Sequence, residues 1–144
     1  MPIQQGLTNS FKQEMLQMGQ NLATDTLKMA LYTAFSDIGQ LTTVYTTDNE
    51  VTGTGYTAGG VVMTGVTINT QTTGPNAGTV YVDFNDVSWP GANFTARGAL
   101  IYNVTRSNKS VAVLDFGSDK TFTTTNNTVT MPANTATTAL IRFP

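Results

Sequence analysis

The spacing of apolar residues changes once along this chain, at Asp25, and that change limits the fold more than any other feature. Before it, Leu7, Phe11, Met15, Met18 and Leu22 recur at intervals of three and four, the stripe of an amphipathic helix. Ser10 followed by Gln13 fits a capping box, and Gly19 is a natural stop. After Asp25 the interval is two. In residues 26–33, Leu27, Met29 and Leu31 share one face, and Lys28, Ala30 and Tyr32 share the other. Similar strands are expected at 61–69 (Val62, Val66 and Ile68 on one face), 79–84, 94–102, 110–117 and 138–143, with a short one near 42–46. Residues 72–78, 85–93 and 106–110 are dense in turn formers, and a TTNN turn separates KTFT from TVTM.

One helix and about eight strands, with turns every eight to twelve residues, do not build βαβ units. The cadence predicts an all-β chain: a single-domain antiparallel β-sandwich, jelly-roll-like, with one short N-terminal helix. Residues 1–24 form the helical segment, packed on the domain or extending from it, and residues 25–144 form the sandwich. A chain of 144 residues is long enough to bury a core of its own.

Composition narrows the chemistry. Charged residues make up only 11% of the chain, and threonine, which suits a half-exposed pleated surface, fills roughly a fifth of it. The seven cations are dispersed, whereas a phosphate backbone needs them clustered, so no nucleic-acid partner is expected. There is no Cys and no His, which removes thiol nucleophiles, disulfides, Ser-His-Asp triads and nearly all zinc sites. No apolar run is long enough to span a bilayer, and no basic stretch precedes an apolar one at the start. Neither a membrane association nor a secretory signal is expected.

Residues 50–62, EVTGTGYTAGGVV, invite a nucleotide-loop reading. The spacing is one residue too long for GxGxxG, the Lys-Ser/Thr of a P-loop is missing, and a strand rather than a helix follows. A turn and bulge with Tyr56 packed across it fits better. The pairs Asp83/Asp86 and Asp115/Asp119 could serve glycoside hydrolysis or hold a cation, but each sits at a strand end and equally fits a loop-capping turn. Arg97, on a strand, reads as an ion-pair or interface residue. No catalytic residue, metal site or cofactor is assigned, and the chain is not expected to be an enzyme.

Six stretches carry a family resemblance: TNSFKQEML, DTLKMALYT, NEVTGTGYTAGG, DFNDVSW, FTARGALIYN and VAVLDFGSDKTF. In this order and spacing, from about residue 8 to the C-terminus, they resemble a group of small virion proteins of tailed bacteriophages. The chain departs from that pattern at Gln20, where a His would be usual near the helix end, and in a longer loop at 69–78. The resemblance implies assembly rather than chemistry. It leads to the expectation of a head decoration or cement protein on the capsid surface, binding the major capsid protein and self-associating as a dimer or trimer. The alternative is a tail- or fibre-associated adaptor or host-recognition module. The expected contact residues are Phe11, Met15 and Met18 on the helix, Tyr56 in the glycine-rich loop, and Trp89.

Overall fold

The computed structural model describes residues 2–144. It is built from antiparallel strands and one short helix, as the apolar cadence predicts. In chain order these are β1 (Gly6–Leu7), α1 (Asn9–Leu16), β2 (Leu27–Tyr32), β3 (Val61–Val62), β4 (Thr67–Thr70), β5 (Val80–Asp83), β6 (Val87–Ser88), β7 (Phe94–Asn103), β8 (Lys109–Phe122), β9 (Thr128–Val129) and β10 (Ile141–Phe143). They form a five-stranded sheet in the order β1-β8-β7-β2-β3, a three-stranded sheet β10-β5-β4, and the pair β6-β9. This partition does not establish jelly-roll connectivity.

The long β7–β8 hairpin and β2 form the centre of the larger sheet. β2 alternates as expected, but both of its faces are buried. Leu27, Met29 and Leu31 join the main core with Ile101, Val111, Val82 and Ile141, while Ala30 and Tyr32 join a second cluster with Leu100, Tyr102 and Val113. The smaller sheet covers the first face. Ile3, Ile38 and Tyr45, from irregular segments, cover the second.

The N-terminal segment belongs to this body. Gly6 and Leu7 pair with Val113 and Ala112, the Thr8 N–H bonds the Val111 carbonyl at 3.0 Å, and Phe11 is fully buried in the main core. The helix cap is Thr8, not Ser10: its hydroxyl accepts from the Phe11 N–H at 3.2 Å. At the other end, the Gly19 N–H reaches the Glu14 carbonyl and the Met18 N–H reaches that of Met15. This is a Schellman closure, and Met18, with φ 58°, occupies the left-handed position that glycine usually fills. Gly19 follows the stop rather than making it.

Two expected strands are also revised. Around 42–46 there is only a single bridge, Val44 to Lys109. Residues 61–69 are two strands in different sheets, because Gly65 (φ 67°) turns the chain against the Asn85 side chain between them. Residues 85–93, expected as loop, contain β6.

Candidate functional site

The glycine-rich stretch closes one side of β2. β3 covers only the first half of that strand, pairing with Lys28 and Met29. Beyond it the neighbouring segment takes over. The Val51 N–H bonds the Leu31 carbonyl at 2.9 Å, Tyr32 bridges to Glu50, and the Leu31 N–H donates to the Tyr56 hydroxyl at 2.9 Å. A phenol therefore stands where a strand carbonyl would. Gly60 (φ 79°) lies so close to β2 that a Cβ there would collide with the Met29 carbonyl. Gly55 (φ 83°) faces the backbone of Gly91 in the same way, with 2.6 Å between a built Cβ and the Gly91 oxygen.

Glu50 ties this closure together. It is 8% exposed. Its Oε1 accepts from the Tyr56 hydroxyl at 2.6 Å and the Gly59 N–H at 2.7 Å, and its Oε2 accepts from the Tyr45 hydroxyl at 2.6 Å. Tyr45 stacks on Tyr102 with centroids 4.7 Å apart, and the Tyr102 hydroxyl donates to the Gly59 carbonyl at 2.6 Å. Burial holds the hydroxyls of Tyr32, Tyr45 and Tyr56 well above the ordinary phenol range, and the nearby Glu50 adds to it. The same causes push Tyr102 up to about 12. These groups stay protonated and act as hydrogen-bond donors. The arrangement pins a loop.

A second polar cluster seats the helix. The Gln20 amide donates to the Ser110 carbonyl and Glu14, both at 3.3 Å, and its oxygen accepts from Asn103 at 3.0 Å. Asn103 and Arg106 both donate to Asp25 Oδ2, at 2.8 Å. Burial pushes the Asp25 carboxyl up, but the bonds from Arg106, the Asn21 N–H and Asn103 outweigh it, and the group lies below its ordinary value.

Of the expected contact residues, three face inward. Phe11 is fully buried, held by the turn that Thr8 caps. Trp89 is 2% exposed, edge-on to Phe122 at 5.7 Å, and its indole N–H has no partner among the described residues. Tyr56 is spent on Glu50 and Leu31, with its ring edge-on to Phe94 at 5.5 Å. As large aromatics beside tight turns, they fill the chain's own core rather than a neighbour's. Met15 and Met18 do reach solvent. Met18 and Leu16, which the periodicity left off the stripe, are each 89% exposed.

Three of the four paired acids cap loops. Asp83 accepts from the Phe84 N–H, Asp86 from the Met131 N–H, and Asp115 from the Gly117 N–H. Asp115 and Asp119 bracket Arg97, whose Nε lies 3.5 Å from Asp115 as a charge contact without hydrogen-bond alignment. Among the described residues, no three carboxylates gather as a metal cluster would require, and no helix is long and apolar enough to cross a membrane.

Glu50 was not among the expected site residues. The signal for it was an acid, two residues after Asp48, opening a long run without charge just before the glycines. Comparison of the chain with protein-family profiles, with curated proteins and with solved structures gives no match.

Proposed function

We propose that this chain is a structural protein of a bacteriophage particle: a head decoration or cement protein that binds the outside of the capsid and bridges major capsid subunits. The ordered resemblance of six segments to small virion proteins supports the reading. The observation that carries it in the structure is the tip of α1. Leu16 and Met18 are almost wholly exposed, on a helix fixed by the Thr8 cap and the buried Phe11. Met18 holds a backbone conformation that costs an L-residue about 1 kcal/mol relative to glycine, and it spends that cost on presenting an apolar side chain to solvent.

Such a tip is rigid before binding, so little side-chain and backbone freedom is lost on contact. Binding to the assembled lattice alone stabilises that lattice by mass action, and repeated copies multiply a modest affinity. The contact residues under this reading are Met15, Leu16 and Met18. A host-recognition module would want several exposed aromatics. Tyr32 and Trp89 are buried, Tyr45 and Tyr56 are half-buried against the core, and Phe35, at 85% exposure, is the one large aromatic among the described residues that stands in solvent.

The test is a capsid co-sedimentation assay with Leu16→Ser/Met18→Gly, alongside a count of copies per purified particle. Loss of binding with a melting temperature no lower than that of the wild type, and a copy number comparable to that of the major capsid protein, is the expected result. Unchanged binding by the folded variant would remove the tip from the interface. A copy number matching a tail component would move the protein to the tail.

A further inference from the structure

The sheet edges of this protein are treated unequally. β1, β3, β6 and β9 are two residues long, and β10 has three with Arg142 in the middle. β8 is long, but past its pairing with β1 it is defended. Residues 116–119 bulge opposite the single residue Arg97, Gly117 turns left-handed (φ 80°), and Asp115, Asp119 and Lys120 add charge. The Asp115 N–H is taken by the Gln5 side chain at 3.0 Å, and the Gly117 N–H by Asp115. Bulges, charges and shortness are the usual protections of an exposed edge.

β4 has none of the first two. It lies at the outside of its sheet, reads TINT, and has no charge, no proline and no bulge in its pairing with β5. The Gln71 N–H is spent on the Thr79 carbonyl across the ladder. By the alternation of an antiparallel pair, the N–H and C=O groups of Ile68 and Thr70 then point away from β5, toward solvent. The core face of the sheet also stops short here. Ile68 lies directly opposite Val82, which is buried, yet Ile68 is 48% exposed.

The geometry points to a second copy of this chain as the partner of that edge, through antiparallel β4–β4 pairing about a two-fold axis. A two-fold sets a strand against itself, so any charge on it meets its own like. Residues Val51 to Val82 contain no Asp, Glu, Lys or Arg. β10 and β8 would place Arg142, or Asp115 and Asp119, close to their own copies. With the axis through Asn69, Ile68 of each copy exchanges both backbone bonds with Thr70 of the other, and the two three-stranded sheets become one of six. Ile68 gains a neighbouring strand on its core face. The contact is short, below the roughly 1,200 Å² of a standard interface, so the free protein associates weakly. The inference does not rest on the capsid reading, because the isolated chain tests it.

The experiment is sedimentation equilibrium of the full chain up to about 1 mM, the weak end of specific association. Thr70→Pro and Thr70→Lys are run beside it. Proline removes a donor that points to solvent, and lysine sets like charges across the axis. Expected are a concentration-dependent dimer, rising amide protection at Ile68 and Thr70 with concentration, and a dissociation constant at least tenfold higher in either folded variant. A wild-type chain that stays monomeric at about 1 mM, or whose Ile68 and Thr70 amides keep the same protection at every concentration, overturns it. A dimer that both folded variants retain also overturns it. If Thr70→Pro does not fold, the lysine variant and the amide protection decide.

Discussion

β2 and β4 both leave a side without a full partner strand, and the chain handles them in opposite ways. Beside β2, where β3 ends early, it invests Glu50, Tyr56, Gly59 and Gly60 in satisfying the exposed backbone. Beside β4 it places no bulge, charge or proline; only Asn134 reaches the Thr67 and Asn69 side chains. The difference follows from what each strand carries. β2 is buried on both faces, and an unpaired N–H there costs about 1–3 kcal/mol. β4 is mostly exposed, so water can satisfy its edge. A closed edge makes a stable monomer, and an open one leaves a place for another strand.

The closed edge is the easier one to break. Gly60→Ala should have the largest effect, at least about 3 kcal/mol of lost stability or outright failure to fold, since the added Cβ meets the Met29 carbonyl and φ is positive. A urea titration showing a loss below about 1 kcal/mol would mean that the loop is not pressed on β2. Glu50→Ala comes next, at about 3 kcal/mol, because two phenols and the Gly59 N–H lose their acceptor in a buried place. Tyr56→Phe should cost about 1–2 kcal/mol, as the Leu31 N–H and Glu50 each lose one partner. If the two variants were equally stable, Tyr56 alone would account for the closure.

Alkaline pH probes the same edge without a mutation. Below pH 10 the tyrosines are protonated in both the folded and the unfolded chain. Above it the unfolded chain releases those protons, while the folded one holds them at Tyr32, Tyr45, Tyr56 and Tyr102, the last up to about 12. The folded state then binds more protons, and stability falls as pH rises past 10. Thermal melts between pH 9 and 11 should show this decline, less steeply in Glu50→Ala, where one cause of the shift is gone. A flat profile in the wild type would mean that the phenols ionise freely in the folded state.

The open edge sharpens the comparison by its indifference. Thr70→Pro should change the stability of the dilute monomer by no more than about 0.5 kcal/mol, because the donor it removes faces water. A loss of several kcal/mol would show that the Thr70 N–H has a partner within the chain.

Much of this architecture was legible in the sequence. The alternation at Leu27–Tyr32 and at Phe94–Asn103 marked strands because the two pair in an unbroken ladder from Leu27 opposite Asn103 to Tyr32 opposite Gly98. The run Val62, Val66, Ile68 looked like one strand because periodicity does not register a change of sheet, and Gly65 makes that change within the pattern. The helix stripe contained Met18 at the right interval, but the helix had already closed at Gln17. Phe11, Tyr56 and Trp89 were legible as important and not as inward-facing. An aromatic that fills its own core and one that fills a partner's have the same local sequence. Glu50 was obscured because an acid beside Asp48 in a polar stretch resembles a solvated one until its three donors, from Tyr45, Tyr56 and Gly59, are brought around it.

The attachment of the N-terminus has a consequence in time. Gly6 and Leu7 pair with Val113 and Ala112, and Thr8 reaches Val111 across a separation of 103 residues. As the chain emerges from the ribosome, its first elements can meet Ile38 and Gln40 early but cannot complete their docking until the opening part of β8, Val111 to Val113, has been made. Until then the helical segment exposes Phe11 together with Met15 and Leu16. The step that fastens Phe11 into the core is therefore a late, long-range closure, and an aggregation-suppressing chaperone would have its main opportunity just before it.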